Sequence, residues 1–298
     1  MWGRKRAERA RDEVDKSRVE RERIEALSLV DSLTEDQRVA LAADSGTPPS
    51  VLAVLAEDEA IDVRSAVASN PAADGDTLAL LVESLPPPLS TEPGPDVAPD
   101  WLEYKRSRLE LDRSSAERRH SKLRHAVARN PSAPEALLRT LNARNRHLAQ
   151  DGSQLDIVRN PSAPTPLLDE IIERASKDFQ STDSAYQQLE WRYLHDVLGH
   201  AAKHPNTSPK SLNFLANLGW VAQVAGNPGA PADLLIGMAK AWGSEPARSH
   251  DHAMAQYDVC RALARNPSLP ADAAVILSSH SHPTVVKDVR EHHGDKLG

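Results

Sequence analysis

The stretch from His125 to Leu141 reads HAVARNPSAPEALLRTL, and it decides the fold because near-copies of it recur along the whole chain. Seven copies align on an anchor residue, which is asparagine in five of them and is followed by proline in six. The anchors are Asp44, Asn70, Asn130, Asn160, His204, Asn227 and Asn266. Repetition of this kind predicts an architecture of stacked structural units.

Apolar side chains occupy fixed positions around every anchor. The residues two and three positions before the anchor are always apolar, and leucines predominate eight and eleven positions after it. Leucines three residues apart form one apolar stripe on a helix. Each unit is therefore predicted to contain a short helix that ends at the anchor, a turn, and a second helix that carries the leucines.

Prolines mark both helix boundaries. A residue before proline is disfavoured in the helical region, so the Asn-Pro pair ends the first helix, and the asparagine amide can bond nearby backbone groups. A second proline is predicted at the first position of the second helix, where its missing N–H costs nothing. These prolines are Pro48, Pro134, Pro164, Pro231 and Pro270. One unit alone buries too little apolar surface to fold, so the units must stack.

The pattern VRxAVAxNPxxPxxLLxxLA, seen in 62–70 and 124–141, resembles the leucine-rich repeat variant family, and the match covers about residues 36–293. The family is similar to HEAT-like helical repeats. The resemblance implies an all-α protein: a right-handed α-solenoid of about seven two-helix repeats (α/α or α/3-10), with insertions along one edge. The family's founding type also carries a cysteine-ligated iron–sulfur cluster, which is not expected here because Cys260 is the only cysteine.

Composition excludes several classes of protein. Only 40% of the 298 residues are hydrophobic and 4% are aromatic, with a mean hydropathy of -0.51, which suits a thin core better than a thick enzyme core. The net charge of -7 argues against a globally cationic nucleic-acid binder. The single cysteine allows no internal disulfide, which favours a reducing cytoplasmic location. Neither a signal-like segment nor an apolar run of membrane-spanning length is present, so no membrane partner is expected.

The anchors are spaced 26, 60, 30, 44, 23 and 39 residues apart, and the excess length always falls before an anchor helix. The predicted domains are a charged N-terminal helix or arm over 1–33 and a helical repeat solenoid over 34–293. Inside the solenoid, 84–100 is a proline-rich linker and 101–120 a basic helical insertion. Residues 101–146 carry a local charge of +7, whereas 31–100 carry -12. The opposite charges attract each other within one molecule, or the basic segment binds an acidic partner.

Basic residues precede four of the seven anchors, and stacking would align them on one face. This column either is a solvated face or recognises an acidic protein, RNA or DNA through charge-assisted bonds. The candidate binding residues are Arg129, Arg159, Lys203 and Arg265, with Arg118 and Arg119 from the basic insertion.

Other chemistry has weaker support in the sequence. His200 with His204, and the group His280, His282, His292 and His293, lack the spacing of a recognised metal motif, so no metal and no cofactor is expected. Phe179, Tyr186, Trp191 and Trp242 in the longer insertions predict either an extended helix packed on the repeats or a peptide groove. The leading hypothesis is a non-catalytic scaffold of a bacterial type that binds a protein or peptide. The alternatives are a nucleic-acid-binding repeat protein and, less favoured, a HEAT-like DNA glycosylase.

Overall fold

The computed structural model describes residues 18–84, 115–144, 153–181, 188–243 and 250–297. Within these ranges every regular element is a helix and no strand occurs, which confirms the predicted all-α class. Residues 85–114, which include nearly all of the proline-rich stretch and most of the basic insertion, lie outside the described residues, as do residues 1–17 of the N-terminal arm.

Two compact units divide the chain, residues 1–146 and residues 147–298. The first unit contains α1 (18–31), α2 (Glu35–Ala43), α3 (Pro49–Leu55), α4 (Ile61–Ser69), α5 (Gly75–Glu83), α6 (Ser115–Arg129) and α7 (Glu135–Arg144). The second contains α8 (Ser153–Ile157), α9 (Thr165–Ser181), α10 (Gln188–Lys203), α11 (Pro209–Asn217), α12 (Val221–Ala225), α13 (Ala232–Gly243), α14 (His250–Arg265), α15 (Ala271–Ser278), α16 (Pro283–His293) and a 3-10 turn (Gly294–Lys296). The predicted domain limits at 33/34 and 293 stay predictions.

Local sequence signals set the helix ends. Thr34 and Gln37 fit the sequence pattern of a helix capping box, and they form one at the start of α2: Gln37 N–H donates to the Thr34 hydroxyl at 3.4 Å, and Thr34 N–H donates to Gln37 Oε1 at 2.9 Å. Asn70 leaves α4 in an extended conformation, as a residue before proline should. The prediction that the second prolines occupy the first helical position was wrong by one residue. Pro48 and Pro270 instead occupy the N-cap positions of α3 and α15, so these helices begin one residue later than predicted. Their carbonyls accept the first intrahelical bonds, while their missing N–H lies outside the helix.

The helices that precede the anchors pack against one another in chain order within each unit. In the first unit α2 packs on α4 and α4 on α6; in the second, α8 packs on α10, α10 on α12, α12 on α14 and α14 on α16. The leucine helices lie alongside, with α13 packed on both α14 and α15. The leucines eight positions after the anchor are fully buried: Leu52, Leu78, Leu138, Leu168, Leu212 and Leu235. Each contributes about 1.5 to 3 kcal/mol through burial.

Candidate functional site

Buried asparagine side chains join successive repeats through a recurring set of hydrogen bonds. Asn70 Nδ2 donates to the carbonyls of Ala42 and Asp44 in the preceding repeat, both at 2.8 Å. Its Oδ1 accepts the backbone N–H of Ala72 at 2.9 Å. The same three bonds, at 2.7 to 2.9 Å, occur at Asn130, Asn227 and Asn266. One amide thus holds its own turn and the helix end of the neighbouring repeat, and we call this set of bonds the anchor ladder.

His204 makes the corresponding contacts with an imidazole. Its Nε2 lies 2.8 Å from the carbonyl oxygen of Asn160, and its Nδ1 accepts the backbone N–H of Asn206 at 3.1 Å. These bonds assign the proton of a neutral ring to Nε2. Burial lowers the pKa of His204, against the opposing effect of the bond to the Asn160 carbonyl. Asn160 keeps the turn bond of the ladder, since its Oδ1 accepts the Ser162 N–H at 2.9 Å.

The C-terminal histidines make local structural contacts within the second unit. His280 and His293 are buried, and His280 Nδ1 accepts the His282 N–H at 3.0 Å. The His282 side chain caps α16, and its ring centroid lies 4.4 Å from that of Tyr257. Among the described residues, no three or more histidine, cysteine or acidic side chains are arranged to hold a metal ion.

The four basic residues before the anchors are all exposed. Arg129 belongs to the first unit, and Arg159, Lys203 and Arg265 to the second. Gly226 occupies the corresponding position between Lys203 and Arg265, so these two stand two repeats apart. The side chains of Arg118 and Arg119 lie outside those that the structure describes. The six residues stay predicted binding residues.

Arg265 is bound by a carboxylate. Its Nε donates to Asp288 Oδ2 at 2.8 Å and its Nη2 to Oδ1 at 3.4 Å, while Arg261 Nε lies 3.5 Å from the same carboxylate. Burial raises the pKa of Asp288, but the bonds and charges of Arg265 and Arg261 outweigh it and lower the pKa overall. The charge of Arg265 is therefore balanced within the unit. Sequence reasoning missed Asp288, although an acid between the apolar positions Val285 and Val289 was a visible signal.

Arg159 is bound by a histidine instead. Its Nε and Nη2 lie 3.2 and 2.9 Å from Nε2 of His200, in the next repeat. Burial lowers the pKa of His200, the charges of Arg159 and Lys203 lower it further, and Asp196 acts in the opposite direction. Among the described residues neither Arg159 nor Lys203 has an acidic hydrogen-bond or ion-pair partner. We call Arg159, His200 and Lys203 the basic cluster. The sequence had suggested His200 only as a metal-ligand candidate.

Four rings form a packed cluster in the second unit. The centroid of Phe179 lies 5.6 Å from Trp191 and 5.3 Å from Trp220, and that of His195 lies 5.1 Å from Trp191 and 5.6 Å from Trp220. Trp220 is 4% exposed, whereas Trp191 is 46% exposed. Because the rings contact one another, this geometry agrees with helix packing between α9, α10 and the start of α12. Tyr186 lies outside the described residues.

The thiol of Cys260 is fully buried on α14, and burial raises its pKa to about 12. Its Sγ donates to the carbonyl of Trp242 at 3.3 Å, and the Trp242 ring stacks on His252 with centroids 5.5 Å apart. A buried, protonated thiol is a poor nucleophile and a poor metal ligand.

Comparison with family models, curated proteins and solved structures found no match to this chain. The resemblance to the leucine-rich repeat variant family stays a prediction from the motif. In the part of the chain that the structure describes, no helix has both the length and the apolar character needed to cross a membrane.

Proposed function

We propose that this chain is a non-catalytic helical-repeat scaffold that binds a protein or peptide partner. Its repeats form a right-handed α-solenoid of about seven two-helix units, of the leucine-rich repeat variant type. The successive packing of the anchor helices within each unit supports this arrangement, and so do the bonds of the anchor ladder, because Asn70, Asn130, Asn227 and Asn266 each bond the preceding repeat in the same way.

One observation carries the proposal: among the described residues, neither cation of the basic cluster has an acidic hydrogen-bond or ion-pair partner. Arg159 and Lys203 are exposed on consecutive repeats. We call the Nε and Nη2 donors of an arginine its fork, and the fork of Arg159 bonds a neutral imidazole. In contrast, Arg38 and Arg265 are each bound by a carboxylate of the chain itself. Exposed cations that no carboxylate of the same chain neutralises favour association with a surface of opposite charge.

The charges of the basic cluster and of the whole chain favour an acidic protein segment as the partner. The chain is acidic overall, with a net charge of -7, so its long-range field repels a long polyanion such as DNA more strongly than a short acidic peptide. A small basic cluster on an acidic molecule suits a partner that presents a few carboxylates at short range. The single buried cysteine fits a reducing bacterial cytoplasm.

Peptide display on the full chain tests the proposal. Peptides selected by immobilised protein are measured by isothermal titration calorimetry against the wild type and the double variant Arg159→Glu with Lys203→Glu. We expect acidic peptides to be selected, and the double variant to bind them at least about tenfold more weakly because it reverses the charge of the cluster.

The matched control is Lys177→Glu, which reverses an exposed charge of α9 in the same unit. It should leave peptide affinity nearly unchanged. Two results would overturn the scaffold proposal: no peptide is selected, or oligonucleotides bind more tightly than any peptide and with the steep salt dependence of phosphate contacts.

A further inference from the structure

The guanidinium of Arg159 presents two N–H donors to a single acceptor atom. Both Nε and Nη2 point at Nε2 of His200, at 3.2 and 2.9 Å. An atom that accepts two donors carries no proton, so the proton of the neutral ring is on Nδ1. The fork is therefore filled by one neutral nitrogen, although its shape matches a group with two oxygens.

Elsewhere in the chain, the same fork binds carboxylates. Arg265 uses Nε and Nη2 on the two oxygens of Asp288, at 2.8 and 3.4 Å. Arg38 uses the same two nitrogens on the two oxygens of Asp58, at 2.6 and 3.3 Å. Arg159 and Arg265 both precede an anchor asparagine, and the partner of each lies on the next helix of the anchor series, α10 for Arg159 and α16 for Arg265. Only the acceptor differs.

The surroundings of His200 leave the basic cluster positively charged. Lys203 follows on the same helix, α10, and Asp196 lies one turn before His200 on that helix. Arg159 comes from the preceding repeat, and α12, which packs on α10, has no titratable side chain. Among the described residues, Arg159, Lys203 and Asp196 are the charged groups that act on His200, since Asp156 of α8 and the charged groups of α9 and α11 do not. Two fixed cations thus face one carboxylate.

We propose that the fork of Arg159, with Lys203 beside it, is a binding site for a carboxylate of an acidic peptide segment, and that His200 fills the fork until that carboxylate displaces it. This inference rests on the proposed scaffold function and names the chemistry of the partner. A carboxylate offers two oxygens and a negative charge, so its two bonds with the fork are stronger than the bonds with the imidazole.

Displacement also changes the protonation of His200. In the free protein, both donors of Arg159 occupy Nε2, and the adjacent cation opposes a proton there. Once a carboxylate takes the fork, Nε2 is released and a negative charge lies nearby, so the ring gains a proton more readily. Binding therefore takes up a proton, and affinity rises as the pH falls from about 8 to about 6, where glutamate side chains stay ionised.

Nuclear magnetic resonance of the full chain tests the exchange directly. Two-bond ¹H–¹⁵N spectra assign the tautomer of His200, while acetate or inorganic phosphate is added at constant ionic strength. We expect Nε2 to be the unprotonated nitrogen in the free protein, and acetate to raise the pKa of His200. If His200 does not respond to acetate, or if phosphate acts at lower concentration than acetate, the proposal is wrong.

A fluorescent deca-glutamate peptide, followed by anisotropy, tests the site with variants of His200. His200→Glu puts a carboxylate of similar reach on the fork, so we expect affinity to fall at least about tenfold while the protein stays folded. His200→Gln keeps a neutral acceptor and should bind the peptide at pH 8 like the wild type, but without the increase at pH 6. Lys177→Gln, which removes a charge of α9, is the matched control. It should change neither the affinity for the peptide at pH 8 nor the increase in affinity at pH 6.

The outcomes separate this inference from the scaffold proposal. If peptides from the display experiment bind His200→Glu as tightly as they bind the wild type, the assigned site is wrong and the scaffold proposal stands. If deca-glutamate binds with the predicted dependence on residue 200 but no peptide is selected by display, the carboxylate site stands and the scaffold proposal fails. If an oligonucleotide of equal charge binds more tightly than deca-glutamate and is unaffected by His200→Glu, the carboxylate assignment is wrong.

Discussion

Removal of one anchor amide should destabilise the second unit severely. Asn227 is fully buried, and its Nδ2 donates to the carbonyls of Ala202 and His204 at 2.8 and 2.9 Å. Its Oδ1 accepts the Gly229 N–H at 2.7 Å. Asn227→Ala deletes all three bonds and leaves backbone groups in the interior with fewer partners.

The cost follows from the bonds that are lost. Each hydrogen bond contributes about 1 kcal/mol net, and each buried group left unsatisfied costs about 1 to 3 kcal/mol. The carbonyl of His204 keeps the Thr207 N–H as a donor, so it is not left without a partner. Asn227→Ala should therefore lower the free energy of unfolding by about 3 to 5 kcal/mol, against a total of about 5 to 15 kcal/mol for a typical domain.

Urea denaturation followed by circular dichroism measures this free energy. Hydrogen-exchange mass spectrometry shows which part of the unfolding belongs to residues 147–298. Asn213→Ala is the matched control, because Asn213 is exposed and makes a single local bond, from Nδ2 to the carbonyl of Pro209 at 2.9 Å. It should change stability by less than about 0.5 kcal/mol. A loss below about 1 kcal/mol for Asn227→Ala, or equal losses for both variants, would refute the role of the anchor ladder.

Three further perturbations test other contacts. Leu138→Ala should lower the free energy of unfolding by about 2 to 5 kcal/mol, because it opens a cavity at a fully buried leucine. Leu80→Ala, at a 41% exposed position, should lower it much less, and equal losses in urea denaturation would contradict the repeat alignment. Burial lowers the pKa of His204 below the unfolded value of 6.5, so the contribution of this neutral histidine to stability is present above pH 6.5 and is lost as the pH falls through the lower folded pKa. The variant His204→Asn should reduce this loss in denaturation curves measured across that pH range. Arg265→Gln should raise the pKa of Asp288, as carboxyl ¹³C titration would record, and an unchanged pKa would show that Arg265 does not hold this carboxylate in its ionised form.

The helices and their ends were predictable because their signals are local. The Thr34 capping box involves residues three positions apart, and the Asn-Pro pairs end helices through the conformation of adjacent residues. The exact start of the second helices was missed by one residue, since the φ angle of proline suits the N-cap as well as the first turn. Repetition then made the buried leucine column visible from the sequence alone.

The partners of the basic residues were not predictable in the same way. Arg159 and His200 are separated by 41 positions, and Arg265 and Asp288 by 23, so their contacts depend on how the repeats stack. Equal positions in the repeat suggested equal roles for the two arginines. The structure instead gives Arg265 a carboxylate and Arg159 an imidazole as its partner. In both cases the following repeat supplies the partner, so the arginine's own repeat does not determine which group it bonds.

Proton uptake on binding measures most directly whether a carboxylate partner displaces His200 from the fork of Arg159. Calorimetric titration of the full chain with deca-glutamate, in two buffers of different ionisation enthalpy near pH 7, gives the number of protons taken up on binding. We expect an uptake greater than zero and below about one proton for the wild type, and none for His200→Gln. Binding without proton uptake by the wild type, or with the same uptake by His200→Gln, would contradict this displacement.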